Sequence, residues 1–308
     1  MNIIFMGTPD FAVSVVDAVS KEHNIVLVVT QPDKPKGRGE QMSFPPVKEW
    51  AIEHNIPVFQ PKRIKEADAI EELRQYDAQL FLVAAFGQIL PKEILDMPQY
   101  GCVNVHASLL PEYRGAAPIQ WAVIDGKEVT GVTTMQMGIG LDDGDMLLKK
   151  ELRLAEDETG GSLFDKLAIL GGQLAVETID ALAKGQVTPI PQDETRATHV
   201  GMIKKSLGKI DFNNSATSIE RLIRGLNPWP SAFTSLEGKS VKLWKSRVCE
   251  GNEGKEPGEI IFAGKDGIRI SCGLDSIIVT ELQLEGKRRM SSEDFLRGHK
   301  LLPGDKFL

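Results

Sequence analysis

The sequence predicts an α/β fold whose sheet is mainly parallel, followed by a smaller β-barrel. Near the start of the 308-residue chain, an apolar run over 3–6 precedes helical spacing over 11–19 and a second apolar run over 25–30. This strand–helix–strand order is typical of parallel sheets, in which right-handed helical crossovers connect the strands. After residue 206 the pattern changes to short strand-like runs separated by glycine-containing turns, which is typical of small barrels.

Further elements follow these two patterns along the chain. In the first part we predict strands over 79–85, 102–105 and 132–137 and helices over 67–75 and 162–183. The last of these helices is amphipathic, because its apolar residues recur at helical spacing. In the second part we predict helices over 216–226 and 291–297 and strands over 240–245, 258–262, 267–272 and 276–283.

Two segments interrupt the regular elements. Residues 31–46 are rich in proline and glycine and are too long for an ordinary connection, so we predict an exposed functional loop there. Residues 184–206 are polar and rich in turn formers, which is typical of a linker. We therefore predict a first domain over 1–188, a linker over 189–207 and a second domain over 208–308.

The charge of the chain is unevenly distributed. The net charge is −7, with 19 Lys and Arg against 29 Asp and Glu in residues 1–204, but 17 against 14 in residues 205–308. A mildly basic second part beside an acidic first part suggests different partners for the two.

The cysteines and histidines argue against a metal or disulfide framework. The 3 cysteines and 5 histidines are scattered, and no pair has metal-ligand spacing. The chain begins without a basic leader, and no apolar run is long enough to span a membrane. We therefore expect no metal, no membrane association and a cytoplasmic location, and we expect a monomer.

An asparagine and a histidine occupy alternate positions in one predicted strand. Because strand side chains alternate, Asn104 and His106 share one face, and Val103 and Val105 share the other. Ligands of open α/β sheets bind where strands end. An amide and an imidazole placed together there can donate hydrogen bonds to a developing negative charge. The alternative is a strand end whose polar residues only cap a turn.

Three carboxylates follow the strand predicted over 132–137, namely Asp142, Asp143 and Asp145. One of them near His106 could accept a proton during a reaction. Spacing leaves open which carboxylate faces inward, and a plain acidic turn is the alternative. The segment lacks the alternating ligands and distal glutamate of an EF-hand calcium loop.

Motifs of several other enzyme classes are missing from the sequence. Residues 7–9 form a glycine-containing turn but not a dinucleotide-binding fingerprint, and the chain has no Walker loop and no nucleophile elbow. Because no serine or cysteine is a credible nucleophile, we expect direct transfer rather than a covalent enzyme intermediate.

The segments around these residues resemble the folate-dependent formyltransferases. Asn104-x-His106, followed by SLLP at 108–111 and later by Asp142, is similar to the active-site signature of that family. Over nearly its full length the chain is most similar to the members whose acceptor is methionyl initiator tRNA. The matching segments are MGTPDFA at 6–12, QPDKPKGRG at 31–39, YRGAAPI at 113–119, GLDDGDM at 140–146 and NPWP at 227–230.

The resemblance implies a Rossmann-like formyltransferase domain with a parallel-rich sheet, followed by an OB-like, tRNA-binding barrel. It implies transfer of a formyl group from 10-formyltetrahydrofolate to the α-amino group of methionyl initiator tRNA, by direct amine attack through a tetrahedral oxyanion intermediate. Asn104, His106 and Asp142 match the catalytic residues of the family. The first two would donate hydrogen bonds to the oxyanion, and the carboxylate would accept the proton of the amine.

The resemblance also assigns binding residues. The folate-side positions are Phe86, Gln88, Ile89, Leu90, Ser108, Leu109, Leu110 and Pro111. Lys34, Lys36 and Arg38 match the basic loop that reaches the tRNA. The chain departs from the family pattern at Glu40 and Gln41, where further lysines are frequent, and at Asp143, where threonine is usual.

Two alternative functions share the same motifs. One is formylation of a small amine, such as a sugar nucleotide or glycinamide ribonucleotide. The other is RNA binding by a protein whose enzyme domain is inactive. The long basic loop and the second domain favour a large acceptor, and the presence of Asn104, His106 and Asp142 favours an enzyme.

Overall fold

The computed structural model describes residues 1–36 and 41–308. Its strands are β1 Asn2–Gly7, β2 Asn24–Val29, β3 Lys34–Lys36, β4 Gln41–Ser43, β5 Val58–Phe59, β6 Leu80–Ala84, β7 Cys102–His106, β8 Arg114–Gly115, β9 Val129–Gln136, β10 Met146–Arg153, β11 His199–Val200, β12 Ala232–Leu236, β13 Lys239–Cys249, β14 Ile260–Gly264, β15 Gly267–Ser271, β16 Ser276–Leu284 and β17 Met290–Ser291. Its α-helices are α1 Asp10–Ser20, α2 Pro46–Glu53, α3 Ala67–Arg74, α4 Lys92–Leu95, α5 Pro118–Ile124, α6 Gly160–Ala183, α7 Ala216–Gly225 and α8 Ser292–Gly298.

The chain forms two compact units. The first unit comprises Met1–Gly115, Val129–Arg153 and Phe164–Val200. The second unit comprises Ala116–Glu128, Leu154–Leu163 and Gly201–Leu308. Two segments that precede Phe164, which include α5 and the start of α6, thus belong with the C-terminal residues.

The first unit contains a seven-stranded sheet in the order β10-β9-β7-β6-β1-β2-β5. Its five strands from β7 to β5 are parallel, whereas β9 is antiparallel to both of its neighbours, β7 and the edge strand β10. Strands β6 and β7 are buried along their whole length, as expected where helices cover both faces of a parallel sheet. The predicted α/β fold with a parallel-rich sheet is confirmed.

The close approach of α1 to β1 determines which residue can occupy the turn between them. The helix buries Phe11, Val15 and Val19 at helical spacing. A Cβ added at Gly7 would lie 2.6 Å from the Ala12 Cβ atom and 2.9 Å from a backbone oxygen of β6. Only glycine therefore fits at this strand-to-helix turn.

The order of the strands reverses between β1 and β6, because the chain builds β1, β2 and β5 on one side and then β6 and β7 on the other. In open α/β sheets, ligands bind beside the carboxyl ends of strands at such a reversal. The Thr8 hydroxyl, just after β1, donates to the Phe86 carbonyl, just after β6, over 3.3 Å. Residues 86–90 therefore begin at the carboxyl edge of the sheet, beside this reversal.

The predicted loop over 31–46 contains a short hairpin. Strands β3 and β4 pair antiparallel on either side of residues 37–40, which lie outside the described part of the chain. Because the composition of this segment indicates turns, the two short strands were not predicted.

The second unit is built on a six-stranded antiparallel sheet in the order β12-β13-β16-β15-β14, with β17 also paired to β16. Its core includes Val241, Ile268 and Val279 from the sheet and Ile219 and Ile223 from α7. The N-cap residue Ser215 accepts a hydrogen bond from the backbone N–H of Ser218, which explains where α7 begins.

The C-terminal tail bonds beside both outer strands of this second sheet, β12 and β14. The backbone of Leu308 exchanges two hydrogen bonds of 2.9 Å with Ser235 in β12. The Phe307 N–H donates to the Gly258 carbonyl over 2.9 Å, and the Ile260 N–H donates to the Asp305 carbonyl over 2.8 Å, both at the start of β14. The antiparallel sheet agrees with a small β domain, and its OB-like closure stays a prediction.

The structure differs from the predicted linker over 189–207. Residues up to Val200 belong to the first unit, where β11 pairs in parallel with β8. Residues from Gly201 onward belong to the second unit. The polar composition that predicted a linker instead supplies side chains that bond to other parts of the first unit.

The helices of residues 1–36 and 41–308 include none with the length and apolar character of a membrane span.

Candidate active site

Strand β7 positions the asparagine and the histidine that the sequence singled out. Asn104 pairs with Met135 and His106 pairs with Thr133 of β9, so both belong to one continuous ladder. The two residues are 9% and 6% exposed, respectively, while Val103 and Val105 are buried. Asn104 and His106 share one face of the strand, because both side chains lie against Asp142.

The Asp142 carboxylate lies against both side chains. Its Oδ1 atom accepts a hydrogen bond of 3.3 Å from Asn104 Nδ2, and its Oδ2 atom lies 3.7 Å from His106 Nδ1. The Gly115 backbone N–H donates to Oδ2 over 2.8 Å. Asp142 has a φ of +51°, a left-handed conformation that is uncommon for residues other than glycine and is concentrated at functional sites.

The hydrogen bond of His106 Nε2 identifies the tautomer of the neutral imidazole. Nε2 lies 2.9 Å from the Tyr113 carbonyl oxygen, which can only accept, so Nε2 must carry a hydrogen. Nδ1 is then the nitrogen that faces the site and the carboxylate. When the imidazole is protonated, Nδ1 becomes the donor available to a reacting oxygen.

The structure distinguishes the three candidate carboxylates. Asp142 is partly buried against the imidazole, whereas Asp143 and Asp145 are exposed. Among the described residues, no group of three or more His, Cys, Asp or Glu side chains is arranged to hold a metal ion.

A buried arginine connects this centre to the segment after Ile190. Arg114 is 3% exposed, and it forms a bidentate pair with Glu194 at 2.7 and 3.0 Å. Its Nε and Nη2 atoms also donate to Gln192 Oε1, over 3.0 and 2.9 Å. The hydrogen bonds with Glu194 raise the pKa of Arg114, and the same bonds lower the pKa of Glu194.

The predicted folate-side residues 108–111 form a well-supported turn after β7. The Ser108 hydroxyl donates to the Glu112 carbonyl over 2.7 Å, and the Ser108 carbonyl accepts from Thr133 Oγ1 over 2.7 Å. Thr133 Oγ1 also accepts from the Leu110 N–H over 3.1 Å. Lys149 Nζ donates to the Leu110 carbonyl. Leu109 is partly exposed, whereas Leu110 and Pro111 are buried.

The second predicted folate segment, 86–90, is anchored mainly through its buried members. Phe86 and Leu90 are each 2% exposed and belong to one apolar cluster, against which Met137 packs. Gln88 Oε1 accepts from the Ile64 N–H over 2.8 Å. Ile89 is 76% exposed, whereas Gln88 is partly buried.

The predicted tRNA-binding residues lie in and around the β3–β4 hairpin. Lys34 begins β3 and is exposed, and Lys36 ends the same strand. Arg38 lies outside the described residues. A cavity of about 200 Å³ lies at the base of the hairpin and is lined by Thr8, Gln31, Pro32, Lys34, Ser43, Phe44 and Pro45.

Several groups around the centre were not identified from the sequence. The backbone groups of Tyr113 and Gly115 contact His106 and Asp142, but a backbone role leaves no residue-type signal. The Gln192 side chain reaches the loop carrying Asp142 and also accepts from Arg114, which lies 78 positions away in the chain. Nothing in a single sequence indicates that they meet.

Comparisons with known proteins identify the family. Residues 1–179 match the formyl transferase family, and residues 202–300 match the formyl transferase C-terminal domain. The methionyl-tRNA formyltransferase of Agathobacter rectalis is 55% identical, covering 100% of this chain and 99% of the relative. The methionyl-tRNA formyltransferase of Lachnospira eligens is 52% identical, covering 99% of this chain and 98% of the relative.

Solved structures share the fold at low sequence identity. An N-formyltransferase of Helicobacter canadensis, solved with folinic acid and dTDP-3-aminofucose, matches with a TM-score of 0.68 at 17% identity, over 90% of this chain and 98% of its own. HypX of Aquifex aeolicus in complex with tetrahydrofolic acid matches with a TM-score of 0.64 at 16% identity, over 99% of this chain and 50% of its own. From the family matches and the full-length relatives, we conclude that the chain belongs to the formyl transferase family, among the methionyl-tRNA formyltransferases.

Proposed function

We propose that the protein transfers the formyl group of 10-formyltetrahydrofolate to the α-amino group of methionyl initiator tRNA. The observation that carries this proposal is the contact of Asn104 and His106 with one carboxylate, Asp142, in a chain 55% identical to a methionyl-tRNA formyltransferase. Membership of the formyl transferase family supports a formyl-folate as the donor. The full-length relatives support methionyl-tRNA as the acceptor.

The first catalytic task is to stabilise the oxyanion that forms when the amine attacks the formyl carbon. Asn104 Nδ2 carries two hydrogens, of which one is donated to Asp142. The other hydrogen and the Nδ1–H of protonated His106 are the donors for the oxyanion. Because both side chains are largely buried and held in place, their donation favours the transition state over the ground state.

The second task is to move a proton from the attacking amine. As the new C–N bond forms, Asp142 accepts the amine proton, directly or through a water. The bond between the formyl carbon and the folate nitrogen then breaks, and that nitrogen takes up a proton as it leaves. Asp142 suits this role because Asn104 and Gly115 donate to its two oxygens and fix its orientation.

The folate side of the site is proposed to lie between segments 86–90 and 108–111. These segments follow β6 and β7, which are neighbouring parallel strands, so both begin at the carboxyl edge of the sheet. Ile89 is 76% exposed, and such a side chain suits contact with a flat pterin ring. The binding roles of Ser108, Leu109, Leu110 and Pro111 rest on the family resemblance.

The tRNA side is proposed to use the basic loop and the C-terminal residues. Lys34, Lys36 and Arg38 would contact the acceptor end, with residues 1–188 as the catalytic domain and 208–308 as the tRNA-binding domain. The excess of Lys and Arg after residue 204 supports this division. We also propose that the protein acts in the cytoplasm, as a monomer and without a metal.

The affinity for initiator tRNA is expected to fall as salt is added. If several lysines and arginines contact phosphates, raising the salt from about 50 to about 200 mM should weaken binding more than about tenfold, because counterions are released on binding. Lys34→Gln should reduce the slope of log affinity against log salt by about one. Filter binding at several salt concentrations measures both quantities, and a flat profile would contradict the electrostatic contacts.

The acceptor is tested by offering the enzyme different amines. With 10-formyltetrahydrofolate present, methionyl initiator tRNA should become formylated, while an amino-sugar nucleotide and glycinamide ribonucleotide should not. Transfer to a small amine alone would assign the protein to the first alternative. Binding of tRNA without any transfer would identify an inactive enzyme domain.

A further inference from the structure

The segment over 192–200 lies along the strand that contacts the reacting centre. Strand β11 pairs with β8, and the Thr198 carbonyl accepts from the Arg114 N–H over 2.9 Å. Thr198 Oγ1 also accepts from the Tyr113 N–H over 2.8 Å. Backbone and side-chain bonds thus attach this segment to residues 113–115.

Two of these three residues supply contacts to the proposed catalytic side chains. The Tyr113 carbonyl accepts from His106 Nε2 over 2.9 Å, and the Gly115 N–H donates to Asp142 Oδ2 over 2.8 Å. A displacement of residues 113–115 would therefore move a partner of His106 and a partner of Asp142 at once.

Gln192 also holds the backbone of the loop that carries Asp142. Its Nε2 atom donates to the carbonyls of Asp142 and Gly144, both over 2.8 Å. Its Oε1 atom accepts two bonds from Arg114, which Glu194 holds from the other side. One amide therefore connects the buried guanidinium of Arg114 to the backbone at Asp142. Asp142 has a φ of +51°, a conformation that persists only when the surrounding structure stabilises it.

We propose that residues 192–200 brace the reacting centre, and that Gln192 is a positioning residue that holds Asp142 where it can accept the amine proton. This inference rests on the proposed formyl transfer. An amide is suited to the position because it accepts from Arg114 with its oxygen and donates to two carbonyls with its nitrogen. A carboxylate could only accept.

The substitution Gln192→Glu separates positioning from simple packing. Glutamate has the same size and pairs well with Arg114, but it places an oxygen against the carbonyls of Asp142 and Gly144. We expect kcat to fall at least about tenfold, because a displaced catalytic group can slow a reaction up to about a hundredfold. KM for 10-formyltetrahydrofolate and for tRNA should stay within about twofold of the wild-type values, since no substrate contact is removed. The thermal midpoint should stay near that of the wild-type protein.

Two further variants complete the test. Gln192→Met, which also lacks the donor hydrogens, should lose as much kcat as Gln192→Glu. Gln186→Glu, at an exposed position six residues earlier, should behave like the wild-type protein. An unchanged kcat in Gln192→Glu, a loss confined to KM, or a variant that unfolds would each overturn the positioning role. A wild-type protein that transfers no formyl group would instead overturn the proposed function itself.

Discussion

Replacing His106 with alanine is expected to lower the turnover of formyl transfer about a hundredfold or more. The substitution removes the Nδ1–H donor from the oxyanion, and loss of one such donor typically costs about 2.7–4 kcal/mol of transition-state stabilisation. It also removes the side chain that lies 3.7 Å from Asp142 Oδ2. Steady-state formation of formyl-methionyl-tRNA at saturating concentrations of both substrates measures the effect.

The matched control for this substitution is His54→Ala. His54 is exposed on the surface of the same unit, at the end of α2, so its replacement should leave turnover near the wild-type value. Folate binding by His106→Ala should also be nearly unchanged, because the proposed folate segments are held by other residues. Near-normal turnover of His106→Ala would remove the histidine from the reacting centre.

Replacing Asp142 with asparagine is expected to have a similar or larger effect, about 10²- to 10⁴-fold on turnover. The carboxylate accepts from Asn104 at one oxygen and from Gly115 at the other, over 3.3 and 2.8 Å. An asparagine side chain has one oxygen, so one of these donors loses its acceptor. The amide also cannot accept the proton that the amine releases.

Asp143→Asn provides the matched control, because Asp143 is exposed and adjacent in sequence. Its turnover should remain close to that of the wild-type protein. The comparison also tests the choice among Asp142, Asp143 and Asp145, which sequence spacing left open. If Asp143→Asn were the more damaging substitution, the loop would carry its catalytic carboxylate at a different position.

The parts of the fold and site that the sequence predicted are those governed by local periodicity. The buried run before Gly7 and the helical spacing after it define β1 and α1, because a parallel strand and an amphipathic helix have different periods. The alternation of side chains along a strand likewise predicted that Asn104 and His106 share one face of β7. The role of Asp142 came from family resemblance, and the structure adds the contacts that support it.

The parts that could not be predicted depend on contacts between distant segments. Nothing local indicates that β9 runs antiparallel to both β7 and β10, or that the C-terminal tail bonds to both β12 and β14. Gln192 lies in a polar segment whose composition is that of a linker. Its importance appears only when Arg114 and the Asp142 loop are found beside it.

The chemical role of Asn104, His106 and Asp142 is tested most directly by the single-turnover rate of formyl-methionyl-tRNA formation. Enzyme in excess over methionyl initiator tRNA, with saturating 10-formyltetrahydrofolate, reports the chemical step apart from product release. For the doubly substituted protein Asn104→Ala/His106→Ala, we predict a rate at least about a hundredfold below the wild-type rate, with tRNA affinity changed less than about twofold. A rate within about threefold of the wild-type value, or a loss explained wholly by weaker binding, would contradict the catalytic role of these residues.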